Sequence, residues 1–190
     1  MAQNPHQPLR DDVRLLGELL GRVLRHHEGE QIFQRVEEVR EAAKRARTVD
    51  ADLEHFDRLL REMPLSSAQT VARAFAHFLT LANIAEQHHR VHRRRDHARD
   101  PKGRPQRGSC AETLARLRRA GLPAEALSAA LESMRIELVF TAHPTEIVRR
   151  TLLQKHNRVA EILALRDRPD LTPAEQEDLL AELHREIAAA

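Results

Sequence analysis

Apolar residues return at helical spacing through most of this chain. Val13, Leu16, Leu20, Val23 and Leu24 share one face of a helix that Asp11 or Asp12 opens and Gly29 closes. A second stripe runs through Ile32, Val36 and Val39 toward Arg47. The spacing predicts a third helix from Asp50 to Met63, stopped by Pro64. Ser66 and Gln69 have the spacing of a capping box for a long fourth helix through Phe75, Phe78, Leu79 and Ala82. The stretch from Asp96 to Gly108, rich in Pro, Gly and charge, reads as a loop. Ser109 with Glu112 caps the next helix, which ends at Gly121, and Pro123 opens another.

The period then changes. Ile136, Leu138 and Phe140 alternate with Glu137, Val139 and Thr141, which predicts one strand in an otherwise helical chain. Pro144 steers His143 away from the α region, so the strand should stop at the histidine. Thr145 can then cap a helix with the stripe Val148, Leu152, His156, Val159 and Leu163. Thr172, Pro173 and Glu175 open a final helix, still running as the chain ends at Ala190. Its stripe of Leu179, Leu180, Leu183 and Ile187 is expected to lack a partner, which suggests further sequence.

Composition narrows the class. With 41% hydrophobic and 32% charged residues, 190 residues suit a helix-rich globular segment holding one good core or two small ones. Aromatics make up only 3%, so leucine, valine and alanine must fill the core around Phe33, Phe56, Phe75, Phe78 and Phe140. The net charge of +2 sets up no large field, which argues against nucleic acid and membrane partners. Single Cys110 forms no internal disulfide, and neither a signal segment nor a spanning apolar run occurs, so the chain reads as cytoplasmic.

Candidate chemistry gathers around His143. A histidine at the carboxyl end of a strand, followed by a helix start, faces unpaired N–H groups and partial positive charge that favour a bound anion. Arg149 and Arg150 fall early in that helix, where they oppose its dipole unless an anion is held there. The same surroundings disfavour imidazolium, keeping His143 neutral and able to accept a proton. A hydrogen-bonded turn histidine beside two solvated arginines fits the same residues. His88 and His92 have metal-ligand spacing on a helix but no acidic or cysteine ligand nearby in sequence, and read as solvated surface. The basic run from Arg90 to Arg107 lacks the interleaved aromatics of a nucleic-acid surface.

The run from Phe140 to Leu152, Phe-Thr-Ala-His-Pro-Thr-Glu-Ile-Val-Arg-Arg-Thr-Leu, resembles the histidine signature of phosphoenolpyruvate carboxylases. The likeness extends upstream, in the same order, through Val13 to Gly21, Val36 to Arg40, Ala72 to Phe75 and Phe78 to His88. The resemblance implies the amino-terminal portion of such an enzyme. Its members are several times longer, with acidic metal ligands, further phosphate-binding basic residues and a mobile glycine-rich loop expected beyond residue 190. It implies a mainly α segment with one strand that begins a helix-rich α/β barrel of the TIM type. Residues 1–134 would then be an amino-terminal helical region, 135–166 the first barrel strand-helix unit and 167–190 the start of the next helix.

In function, the resemblance implies formation of oxaloacetate and phosphate from phosphoenolpyruvate and bicarbonate, feeding the tricarboxylic acid cycle, with Mg2+ or Mn2+ held outside this segment. It implies a homotetramer, with His143 as the catalytic histidine that takes the carboxyphosphate proton and Arg149 and Arg150 in the anion environment. The 190 residues alone are then expected to be inactive. The alternative from a different class is a non-catalytic helical interaction module, supported by leucine stripes and the basic loop.

Overall fold

The computed structural model describes residues 4, 6–47, 51–99, 105–139 and 148–190, with residues 51 and 52 described by their backbone alone. Among the described residues eight helices follow one another: α1 (Gln7–Glu28), α2 (Glu30–Ala46), α3 (Ala51–Arg61), α4 (Leu65–Arg99), α5 (Cys110–Arg119), α6 (Ala124–Ser133), α7 (Arg150–Arg166) and α8 (Pro173–Ala188). The chain divides into two compact units, residues 1–89 with 149–190, and residues 90–148.

In the first unit the apolar stripes meet as the spacing requires. α1 begins earlier than either aspartate, with Pro8 in its first turn, where the missing N–H costs nothing. It ends at Gly29, whose φ of 84° is open to glycine at little cost and turns the chain into α2 with a single linking residue. α8 packs on both α1 and α7. The main core joins Leu16, Leu19 and Leu20 of α1 with Leu81 and Ala85 of α4, Val159, Ile162 and Leu163 of α7, and Leu183 and Ile187 of α8. The stripe of the final helix is therefore covered, against expectation. α7 folds antiparallel to it across the short Asp167–Thr172 turn, and a helix with one apolar face buries it on whatever neighbour the chain supplies.

Polar pairs fix the register between α7 and α8: Arg158 reaches Glu182 at 2.6 Å and Lys155 reaches Glu186 at 2.9 Å. The start of α8 is secured by a complete capping box, in which Thr172 accepts from the Glu175 N–H while the Glu175 carboxylate accepts from the Thr172 N–H. A second, smaller core sets Val36 and Val39 of α2 against Val71 and Ala74 of α4, with Phe56, Leu59 and Met63 packed on it. The described phenylalanines edge these cores and are only half-buried. Leucine, isoleucine, valine and alanine fill the fully buried positions.

Both limits of α4 move. Ser66 lies inside α4, where its carbonyl accepts from the Thr70 hydroxyl, because the helix already starts at Leu65. The same helix runs on through Asp96 to Arg99, into the stretch expected to be loop, since arginine, histidine and alanine carry no helix-breaking geometry.

The second unit contains the amino-terminal-cap geometry expected at Ser109, whose hydroxyl accepts from the Glu112 N–H at 3.2 Å. α5 and α6 bury no residue fully, and they enclose an apolar cleft lined by Leu114, Leu127 and Leu131. The expected strand is not formed among the described residues. Met134 to Val139 take no regular structure, and Ile136, Leu138 and Val139 are 78%, 76% and 81% exposed. Alternation sets which side chains a strand would turn to each face, but a strand exists only when a neighbour accepts its N–H groups. No described segment is such a neighbour. The fold is helix-rich as expected, and the single strand is corrected to irregular backbone over these residues.

Candidate functional site

Of the residues singled out by sequence, His143 and the proposed cap Thr145 lie outside the described residues. Arg149 and Arg150 are placed. Arg149 is the residue that flanks α7, with φ −58° and ψ 136°, and Arg150 is the first residue of the helix. The helix thus starts later than a cap at Thr145 would set it, and its first position carries no side-chain cap. Both arginines are exposed, and neither has an ion pair among the described residues. The first turn of α7 contains no acidic residue. Its unpaired N–H groups and two guanidinium groups therefore add in sign.

Deeper along the same helix, His156 is held below the ordinary histidine range, by burial first and by nearby His77 second. It belongs to the partly buried stripe, as its spacing implied. Among the described residues no three carboxylates come together.

The ionic centre that the sequence concealed lies at His88. Read from spacing it was a solvated residue, yet its side chain is only 10% exposed, and the adjacent His89 is buried. The Nδ1 of His88 lies 3.2 Å from Asp12 on α1, and its Nε2 lies 2.8 Å from Asp167, which ends α7. Each ring nitrogen therefore faces a carboxylate. Only imidazolium donates to both, and the hydrogen bond with Asp12, outweighing burial and helped by the charge of Asp167, raises the His88 pKa. Residues far apart in the chain converge here, so no local pattern could have revealed the cluster.

A pH dependence follows. Because the folded pKa lies above the ordinary 6.5, protonated His88 contributes its full stability below that value and loses it as pH rises through the folded pKa. Equilibrium unfolding in urea should show stability lost as pH rises above 6.5 and through the folded pKa, at most about 1.5–3 kcal/mol for hydrogen bonds to a charged group and less with solvent screening. His88→Gln should flatten that slope. An unchanged slope in the variant would remove His88 as its source.

Comparison with known proteins bears on the whole chain. The family model described as phosphoenolpyruvate carboxylase matches residues 9–190. The chain belongs to the phosphoenolpyruvate carboxylase family. Among relatives named phosphoenolpyruvate carboxylase, that of Alcanivorax borkumensis is 44% identical over the whole chain and 22% of its own length. The Acinetobacter baumannii relative is 40% identical over the whole chain and 21% of its own length. The relative from Pseudomonas fluorescens is 45% identical over 96% of this chain and 20% of its own. The chain spans about a fifth of the length of these curated relatives. The family match includes residues 140–152, the run on which the resemblance was read, and all of α1 to α8 except the first residues of α1. No helix among the described residues is long and apolar enough to cross a membrane.

Proposed function

We propose that this chain is the amino-terminal segment of a phosphoenolpyruvate carboxylase, and that the complete polypeptide forms oxaloacetate and phosphate from phosphoenolpyruvate and bicarbonate. The observation that carries the reading is the family match across residues 9–190, with His143, Arg149 and Arg150 inside it. It weighs against a non-catalytic helical interaction module.

In this proposal a bicarbonate oxygen attacks the phosphoryl group, and the bond from phosphorus to the enol oxygen breaks. Carboxyphosphate and the pyruvate enolate result. His143 accepts the carboxyphosphate proton, the carbon–oxygen bond to phosphate breaks, and the enolate carbon captures the carbon dioxide released. A neutral imidazole suits that step, because it is the protonation state that can accept. Arg149 and Arg150 hold negative charge near the start of α7, which their exposure and the acid-free first turn support. The reading further assigns residues 1–134 to a helical region, 135–166 to the first strand-helix unit of a TIM-type barrel and 167–190 to the next helix. Mg2+ or Mn2+ would be bound by residues outside this segment, in a cytoplasmic homotetramer.

The test is an assay of the complete polypeptide with phosphoenolpyruvate, bicarbonate and Mg2+, reading oxaloacetate through a coupled reduction. Oxaloacetate and phosphate should appear in equal amounts and only with bicarbonate, while the 190-residue chain alone shows no turnover. Absence of bicarbonate-dependent oxaloacetate from the complete polypeptide would overturn the proposal.

A further inference from the structure

His88 and His92 stand one turn apart on α4, a spacing that puts both rings on one face of the helix. Packing supplies a third ligand. Ligand atoms of His88, His92 and Asp167 lie within 4.8 Å of one another. His92 follows His88 on the same unbroken helix, so the helix itself sets its place beside the pair that His88 Nε2 forms with Asp167 at 2.8 Å. One ion held at about 2.0–2.2 Å from each ligand needs a somewhat tighter triangle, and rotation about the side-chain bonds of His92 and Asp167 supplies that closure on a fixed backbone.

Two further features favour a cation here. Nδ1 of His88 lies 3.2 Å from the Asp12 carboxylate. A histidine ligand whose second nitrogen donates to a carboxylate is held in one tautomer and one ring orientation, and is more basic for it. Asp167 caps the carboxyl end of α7, where its charge adds to the negative end of the helix dipole. A cation bound there relieves that conflict. The His88 side chain is 10% exposed and that of Asp167 38%, so the centre is sheltered on the histidine side and open to an entering ion on the other.

We propose that His88, His92 and Asp167 bind a divalent transition-metal ion of the zinc class, with Asp12 orienting the His88 ring. Two imidazole nitrogens and one carboxylate oxygen suit Zn2+ with a water in the fourth position, whereas Mg2+ prefers an all-oxygen set. The ion takes the place of the proton that His88 otherwise directs at Asp167, while the Nδ1 hydrogen still points at Asp12. Bound so, it ties α4 to the end of α7 and, through Asp12, to α1. The inference is independent of the carboxylase reading, because neither His143 nor the start of α7 takes part in it, and the ion is not the Mg2+ or Mn2+ of that reaction.

The probe is Zn2+ itself, titrated calorimetrically into the 190-residue chain after dialysis against a chelator. One equivalent should bind with a dissociation constant of about 1 μM or tighter, and Mg2+ should not compete. Co2+ in place of Zn2+ should give the intense visible absorption of four-coordinate cobalt and not the faint band of the hydrated ion. His92→Gln and Asp167→Asn each remove a ligand that is not fully buried, and each should abolish the stoichiometric site. Asp12→Asn should weaken it about 10-fold to 100-fold, the effect of losing a carboxylate behind a histidine ligand. His26→Gln, at the far end of α1 from Asp12, is the control among exposed histidines and should leave binding unchanged, with circular dichroism confirming the helices of every variant. Absence of saturable Zn2+ binding, equal affinity for Mg2+, or binding retained in both His92→Gln and Asp167→Asn would each overturn the proposal and leave the three residues as an ion-pair network only.

Discussion

Replacement of His143 by asparagine in the complete polypeptide is expected to abolish oxaloacetate formation while sparing bicarbonate-dependent release of phosphate and pyruvate. In the proposed sequence the phosphoryl group moves before any proton acceptor is needed. Carboxyphosphate and enolate therefore still form in the variant. Without the imidazole, carboxyphosphate breaks down unproductively and the enolate is protonated to pyruvate. A fall in oxaloacetate formation of roughly 100-fold to 10,000-fold is the expected size for a lost general base. A histidine that merely shaped the turn before Pro144 would lower stability and both products together. Near-normal oxaloacetate from the asparagine variant would end the catalytic assignment. Substitution of Arg149 or Arg150 by glutamine should act earlier, raising the KM for the anionic substrate and leaving the ratio of products unchanged.

Truncation of Leu183 is the largest expected effect on stability. Its side chain is fully buried on α8, inside the core that α1, α4 and α7 also build. Leu183→Ala removes the transfer free energy of the lost carbons and leaves a cavity that four helices cannot close together. The cost should be about 2–5 kcal/mol, a large share of the roughly 5–15 kcal/mol that holds a typical domain folded. Urea denaturation of the 190-residue chain measures it. Leu138→Ala is the comparison, since Leu138 is 76% exposed and its loss should cost less than about 0.5 kcal/mol. Equal losses for the two variants would show that α8 does not close this core.

Much of the local structure was legible because its causes are local. The capping pairs Ser109 with Glu112 and Thr172 with Glu175 were readable from spacing, and both form the expected bond from the later N–H to the earlier hydroxyl. Gly29 marks the end of α1 as read, because a positive φ there favours glycine over any other residue. The Ser66 and Gln69 pair had the same spacing and failed. α4 starts one residue before Ser66, so a correct pattern sat inside the helix instead of at its edge.

The candidate site divides along the same line. Arg149 and Arg150 were placed near a helix start from sequence, and the structure sets them at the flank and first residue of α7. The positive charge there follows from two cations and a helix terminus, which are neighbours in the chain. The cluster at His88 was missed because Asp12, His88 and Asp167 are brought together only when α1, α4 and α7 pack. Ile136, Leu138 and Val139 show the opposite error, a period-two pattern without a described partner to pair with.

By itself the sequence determined the family, the helical character and the capping of individual helices, since side-chain periodicity and short-range hydrogen bonds are properties of neighbouring residues. Only the tertiary structure decided that the stripe of α8 is buried and that His88 sits between two carboxylates. Each of these depends on which helix face meets which. That choice is made by the packing of apolar surfaces distant in the chain, which no window of sequence contains.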